Sequence, residues 1–222
     1  MSSIRAFIKP QLRTTIRPKH FLSILSPIRM QMATMSAVSN AIVKDHRELK
    51  KYYTEVVNST DHDHQQRFGN QFVWELVRHS ISEELVIYPA MEKYVGDQGR
   101  QLADEDRDEH HQVKERLKVF QSLKSTDPGY VPEIKHIWNL LDKHIEEEEN
   151  RDLPALEKAL AAHAEDLDSL AASFERTKSF VPTRSHPSAG ESPPFETVMG
   201  LMAAPIDRLA DMFRKFPDKG DL

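Results

Sequence analysis

From Ala37 to about Asn58 the apolar positions Ile42, Leu49, Tyr53 and Val56 fall on one helical stripe, and His46 lies within it. A polar connection, Ser59-Thr60-Asp61-His62-Asp63-His64, follows. Gln65 to Val95 then carries the stripe Phe68, Phe72, Leu76, His79, Glu83, Ile87, and Gly96 and Gly99 mark its end. A third stretch, about Arg100 to Lys124, has Ala103, Asp106, His110, Val113, Leu117 and Phe120 on one face. Turn chemistry at Asp127-Pro128-Gly129 leads to Pro132, which suits the first turn of a fourth helix running to about Ala172. Its stripe is Ile134, Ile137, Leu141, His144, Glu148. Proline lacks the donor that the preceding turn needs, so Pro89 and Pro154 are expected to kink or end their helices. Four helices with one apolar face each and short connections predict an all-α fold, an antiparallel up-down four-helix bundle over residues 37–172. Every stripe is interrupted by polar residues that face inward.

The flanks read differently. In residues 1 to about 35, Arg5, Lys9, Arg13 and Arg17 recur every fourth residue beside Ile4, Ile8, Leu12 and Ile16, with no acid. That composition predicts a mitochondrial targeting segment, the alternative being a disordered extension on a cytoplasmic protein. Residues 173–196 are rich in Ser, Thr and Pro and read as a linker. Residues 197–216 place Val198, Leu201, Met202, Ile206, Leu209, Met212 and Phe213 largely to one side. This C-terminal amphipathic helix needs a surface: the bundle itself, a partner protein or a membrane surface.

Composition narrows the classes. The 222 residues are ample for one buried core, and no apolar run approaches the ~20 residues that span a bilayer. Zero Cys leaves only nitrogen and oxygen donors for any metal. The net charge of -5 divides into seven bases and no acid over residues 1–44, and 35 acids against 23 bases, or -12, thereafter. An acidic body without a basic stripe argues against nucleic acid as a partner.

The chemistry lies in an internal repeat. His79 to Val95, HSISEELVIYPAMEKYV, recurs 65 residues later as HIEEEENRDLPALEKAL, from His144 to Leu160. The copies share His79/His144, Glu83/Glu148, Glu84/Glu149, Pro89/Pro154, Ala90/Ala155, Glu92/Glu157 and Lys93/Lys158. A shorter pair precedes them, Asp45-His46-Arg47-Glu48-Leu49-Lys50 and Glu109-His110-His111-Gln112-Val113-Lys114. His46 precedes His79 by 33 residues and His110 precedes His144 by 34, so one helical hairpin occurs twice. Buried carboxylates need partners, and His79 with Glu83, like His144 with Glu148, sits one helical turn apart on one face. Four inward His and two inward Glu can serve a pair of metal ions, two imidazoles each with carboxylates between, leaving positions for water or dioxygen. Imidazole with carboxylate suits iron, and manganese or zinc after it. Glu84 and Glu149 are expected off the ligand face, in solvent or standing behind the ligands, Asp106 is open between ligand and neighbour, and the other histidines are read as surface or loop residues. Tyr53 and Tyr88 are left unplaced.

The order H...H-x-x-x-E...H...H-x-x-x-E across four helices resembles the hemerythrin family in its HHE cation-binding branch, over about residues 38–170. The resemblance implies an antiparallel four-helix bundle with a non-haem di-iron centre, and puts ligand roles on His46, His79, Glu83, His110, His144 and Glu148. Two departures bear on function. Oxygen-carrying members have a further His where this chain has Asp106, and take the fourth-helix acid five residues after its His, which makes Glu149 a rival of Glu148. The expected function is a di-iron protein that binds dioxygen or another small ligand, or acts in iron handling or sensing. The alternatives are a di-iron oxidoreductase acting on an organic substrate, and an interaction module with a structural metal.

Overall fold

The computed structural model describes residues 35–186 and 195–222. The targeting segment expected at the N-terminus and part of the expected linker lie outside the described residues.

The bundle is built from α1 (Ala37–Asn58), α2 (His62–Ser82) continued by α3 (Tyr88–Tyr94), α4 (Asp97–Phe120), and α5 (Tyr130–Glu147) continued by α6 (Leu153–Ala159). Contacts run from α1 to α2, from α3 to α4, from α4 to α5 and from α5 back to α1, which closes the up-down-up-down circuit. Local chemistry sets the ends. Ser36 Oγ accepts from the Ser39 N–H at the start of α1, and Asp61 caps α2 by accepting from Asp63 and His64. Gly96, at φ 76°, makes the turn into α4 that other residues resist.

The two prolines do not end their helices. Each is preceded by a five-residue π turn, Glu83–Ile87 before Tyr88-Pro89 and Glu148–Asp152 before Leu153-Pro154. The Tyr88 N–H donates to Glu83 O and the Leu153 N–H to Glu148 O, five residues back. A proline ring crowds the carbonyl four residues earlier, and the wider turn removes the clash while the helix continues.

Apolar residues form two clusters with a polar layer between them. One holds Leu49, Phe72, Leu76, Val113, Leu141 and Ile145, and the other holds Ile42, Ile87, Ala103, Leu153 and Phe174. His46 lies between Ile42 and Leu49, and the same alternation brackets His79, His110 and His144.

Two boundaries differ from the sequence expectation. The fourth helix stops at Ala159 instead of about Ala172, and after a turn at residues 160–163 the chain reverses into α7 (Ala164–Lys178). α7 packs across α1 and α2, with Phe174, Thr177 and Lys178 buried. The segment expected as linker from residue 173 is therefore helix at first, and Val181, Thr183 and Ser185 beyond it are buried. Short polar side chains in that run find partners on the bundle: Ser185 Oγ donates to Lys114 O, and Gln121 exchanges hydrogen bonds with the Ser185 backbone.

α8 (Phe195–Asp211) also differs. It docks through its polar side: the Asp207 carboxylate accepts from the Thr183 and Arg184 N–H groups, and His186 Nε2 lies 3.0 Å from it. Met202, Ile206, Leu209, Met212 and Phe213 point to solvent. Of the surfaces expected for the apolar side, the bundle is not one that these described residues meet.

Candidate metal centre

All six residues singled out from the sequence meet in the polar layer. His46, His79, Glu83 and Glu148 bring one donor atom each within 4.8 Å of one another, and Glu83, His110 and His144 do the same. Glu83 belongs to both groups. His46 Nε2 stands 3.2 Å from Glu148 Oε2, and His79 Nε2 is 3.1 Å from Glu83 Oε1. His110 Nε2 faces His144 Nε2 at 3.1 Å and Glu83 Oε2 at 3.5 Å. Every one of the six is at most 2% exposed.

These inward atoms are poorly satisfied by protein alone. The Nε2 atoms of His46 and His79 and both oxygens of Glu83 and of Glu148 are buried without a hydrogen-bond partner, their close approaches lacking the required angles. A buried donor or acceptor left unmade costs ~1–3 kcal/mol, so a cluster of this size is expensive unless something sits among the atoms. The ionisation states agree. Burial, then the neighbouring Glu148 and Asp106, holds the Glu83 carboxyl well above the usual carboxylate range. Burial and Glu148 push Asp106 up to about 8. Burial pulls the His46 imidazole down, but Glu148 and Glu149 outweigh it and raise the group to about 9. Excess negative charge in a dry pocket, relieved by protons, is what a cation would relieve. The donor set fits a metal.

Behind the inward atoms lies a ring of carboxylates that the spacing of ligands alone does not reveal. Asp45 on α1 accepts from His79 Nδ1 on α2 at 3.2 Å. Glu84, in the first π turn, accepts from His110 Nδ1 on α4 at 3.1 Å. Glu109 on α4 accepts from His144 Nδ1 on α5 at 3.0 Å, and Glu149, in the second π turn, accepts from His46 Nδ1 on α1 at 2.9 Å. Each helix thus orients the histidine of the next, around the whole bundle. A cation backs every carboxylate: Lys178 on Asp45 at 2.5 Å, Lys114 on Glu84 at 2.6 Å, Lys143 on Glu109 at 2.6 Å and Arg47 on Glu149 at 2.8 Å. An Nδ1–H donated outward fixes the tautomer with the Nε2 lone pair turned inward, the arrangement typical of metal-binding histidines.

Glu84 and Glu149 stand off the inward group, as expected, and behind it instead of in solvent. Each lies within a π turn, close behind the inward face. Glu84 is 8% exposed and the Glu149 side chain 18%. Glu148, not Glu149, joins the inward group, and Glu149 serves His46 from behind. Asp106 lies 3.8 Å from His144 Nδ1, buried, with both oxygens unpartnered. Tyr88 is buried with its hydroxyl 3.1 Å from His110 Nε2, while Tyr53 stacks on Trp138 away from the centre. His62, His64, His111, His136, His163 and His186 take no part in the cluster.

Residues 37–156 match the family model of the hemerythrin HHE cation-binding domain. The chain belongs to the hemerythrin family. It is 51% identical over 191 residues to an uncharacterized hemerythrin-like protein of Schizosaccharomyces pombe, covering 86% of this chain and 93% of that one. A DNA nickase of Nostoc is 24% identical over 147 residues, 66% of this chain but 40% of the nickase. The crystal structure of a hemerythrin HHE cation-binding domain-containing protein from Mycobacterium kansasii superposes with a TM-score of 0.52 at 24% identity, over 64% of this chain and 86% of that one, and supports the fold. The hemerythrin-like chain is thus an HHE metal-binding domain whose His and Glu clusters sit in the bundle core.

Proposed function

We propose that the chain holds two iron ions and uses them to bind dioxygen or a related small ligand. The observation that carries this reading is the convergence of four imidazoles and two carboxylates, buried and turned toward one another with their inward atoms unpaired. His46, His79, Glu83 and Glu148 would hold one ion and Glu83, His110 and His144 the other, with Glu83 shared. Four imidazoles with few carboxylates favour iron over a closed tetrahedral zinc site, and manganese remains the nearest rival. Iron held this way would supply the redox chemistry that small-ligand uptake needs.

The protein's own share is positioning and exclusion. The carboxylate ring holds the four imidazoles in one tautomer, and the two apolar clusters keep bulk water out of the layer. The His110 group offers one donor fewer than the His46 group, which leaves more positions open on that side. There the Tyr88 hydroxyl can donate to a bound small ligand; burial, then Glu83, keeps that phenol protonated by raising it well above its usual range.

The test is an optical titration of the iron-loaded protein, reduced without oxygen and then exposed to it. A stable spectrum that reverts when oxygen is withdrawn supports small-ligand binding. Steady consumption of an added reductant or organic substrate would instead make the protein an oxidoreductase. The basic N-terminal segment leads us to place this activity in the mitochondrion.

A further inference from the structure

α7 lies wholly beyond the family-matched residues 37–156, yet it reaches the centre. Phe174 meets the His79 ring edge-on at 5.9 Å between centroids. One turn later, at the last residue of α7, Lys178 turns its ammonium inward, where it is 6% exposed. Its Nζ lies 2.5 Å from Asp45 Oδ2 and 2.6 Å from Glu75 Oε1. The same Asp45 oxygen accepts from His79 Nδ1. α7 is clamped in this register by Arg78, whose Nε donates to Lys178 O at 2.8 Å while its guanidinium stacks on Trp74.

The other three cations of the ring are more exposed: the side chains of Arg47, Lys114 and Lys143 are 59%, 19% and 62% accessible. The Arg47 and Lys143 pairs are screened by water, and Lys114 is partly open to it. The Lys178 pair is not. Asp45 and Glu75, with Glu48, form a further acidic group close enough to hold a cation, and the Lys178 ammonium already lies between its Asp45 and Glu75 oxygens. Without that ammonium Asp45 loses the ion pair that holds its carboxylate in place, while Glu75 keeps Arg78 at 3.3 Å, so the Asp45 side chain would draw in water and swing. A displaced Asp45 no longer accepts from Nδ1, and the His79 ring is free to turn.

We propose that Lys178 is a positioning residue of the metal centre, acting through Asp45 to hold His79, so that α7 completes the centre from outside the four-helix bundle. The proposal rests on metal binding by His79, and its test separates the two. Full-length protein is compared with Lys178→Met, which keeps the stem and removes the charge, and with Lys178→Arg, which restores it. In metal-free protein the imidazole nitrogens are observed by long-range proton–nitrogen correlation. We expect His79 to hold the Nδ1–H form with slowed proton exchange in the unaltered chain and in Lys178→Arg, and to lose both in Lys178→Met. In iron-loaded protein a chelator should strip metal from Lys178→Met about tenfold faster, with Lys178→Arg near the starting rate. An unchanged His79 signal in a folded Lys178→Met protein overturns the proposal whatever the metal content. Equal stripping rates in all three proteins overturn it as well. A chain that holds its His79 tautomer through Lys178 but takes up no metal would overturn the metal reading alone.

Discussion

At the level of single residues, the centre depends on which nitrogen each histidine turns inward. Nε2 faces the layer on all four rings because Nδ1 is engaged behind, and the carboxylates that engage it are charged and anchored. Glu84 is the most telling of them: it is nearly buried, backed by Lys114, and stands behind the His110 that faces His144. Glu84→Gln keeps the shape and an acceptor but removes the charge. We expect metal affinity, measured by competition with a chelator, to fall by about tenfold or more, with the far-ultraviolet circular dichroism unchanged. That these six residues face inward was legible in the sequence because a polar residue on an apolar stripe is conspicuous, and the internal repeat displayed them twice. The ring behind them was less legible. Its acids were visible as the repeated pairs Asp45/Glu109 and Glu84/Glu149, but each serves a histidine on a different helix. Helical spacing within a segment does not report that.

At the level of elements, the π turns explain where sequence periodicity stopped working. Pro89 and Pro154 were expected to kink or end their helices, and the chain absorbs each with a wider turn placed on the glutamates, the first acid among the inward atoms and the second behind a histidine. The reversal at residues 160–163 was missed because the run from Leu156 to Leu170 keeps a helical rhythm, while the turn itself is closed by backbone hydrogen bonds from His163 to Leu160 and from Asp166 to His163. The approach of α3 to α4 is tight. A Cβ on Gly99 would lie 2.1 Å from Met91 O, a backbone atom with little room to yield. Gly99→Ala should therefore lower stability by about 1–3 kcal/mol in chemical denaturation, while folded protein keeps its full metal content. Equal loss of metal per folded chain would mean that this contact positions ligands as well as helices.

At the level of the whole molecule, the fold encloses more acid than it can neutralise, and the consequence is a pH dependence of unusual sign. Asp106, raised to about 8 from 3.8, keeps a proton in the folded chain that the unfolded chain gives up earlier. His46, raised to about 9 from 6.5, does the same over a higher range, burial being outweighed by Glu148 and Glu149. Where the folded state binds more protons, stability falls as pH rises. The metal-free protein should therefore melt at a lower temperature at about pH 9 than at about pH 6. Asp45 and Glu109, both held at about 2, lose their contribution only as pH falls below the ordinary carboxylate range, so they do not act in this window. Metal replaces those protons, so calorimetry in buffers of different ionisation enthalpy should count protons released on binding, with affinity rising with pH. A melting temperature that climbs from pH 6 to pH 9 without metal would contradict this charge balance. The apolar face of α8 remains turned outward at the same scale, against the expectation that apolar residues seek the core; Asp207, Thr183 and His186 hold the helix by its other side.

The central claim is that the six inward residues hold a pair of metal ions. The direct measurement is the metal-to-chain ratio after anaerobic iron loading and removal of free metal, made on the full-length protein and on His79→Ala and His144→Ala. The account predicts a ratio of about two, with each variant losing metal. A ratio below about one, or variants that retain as much metal as the parent, would contradict it.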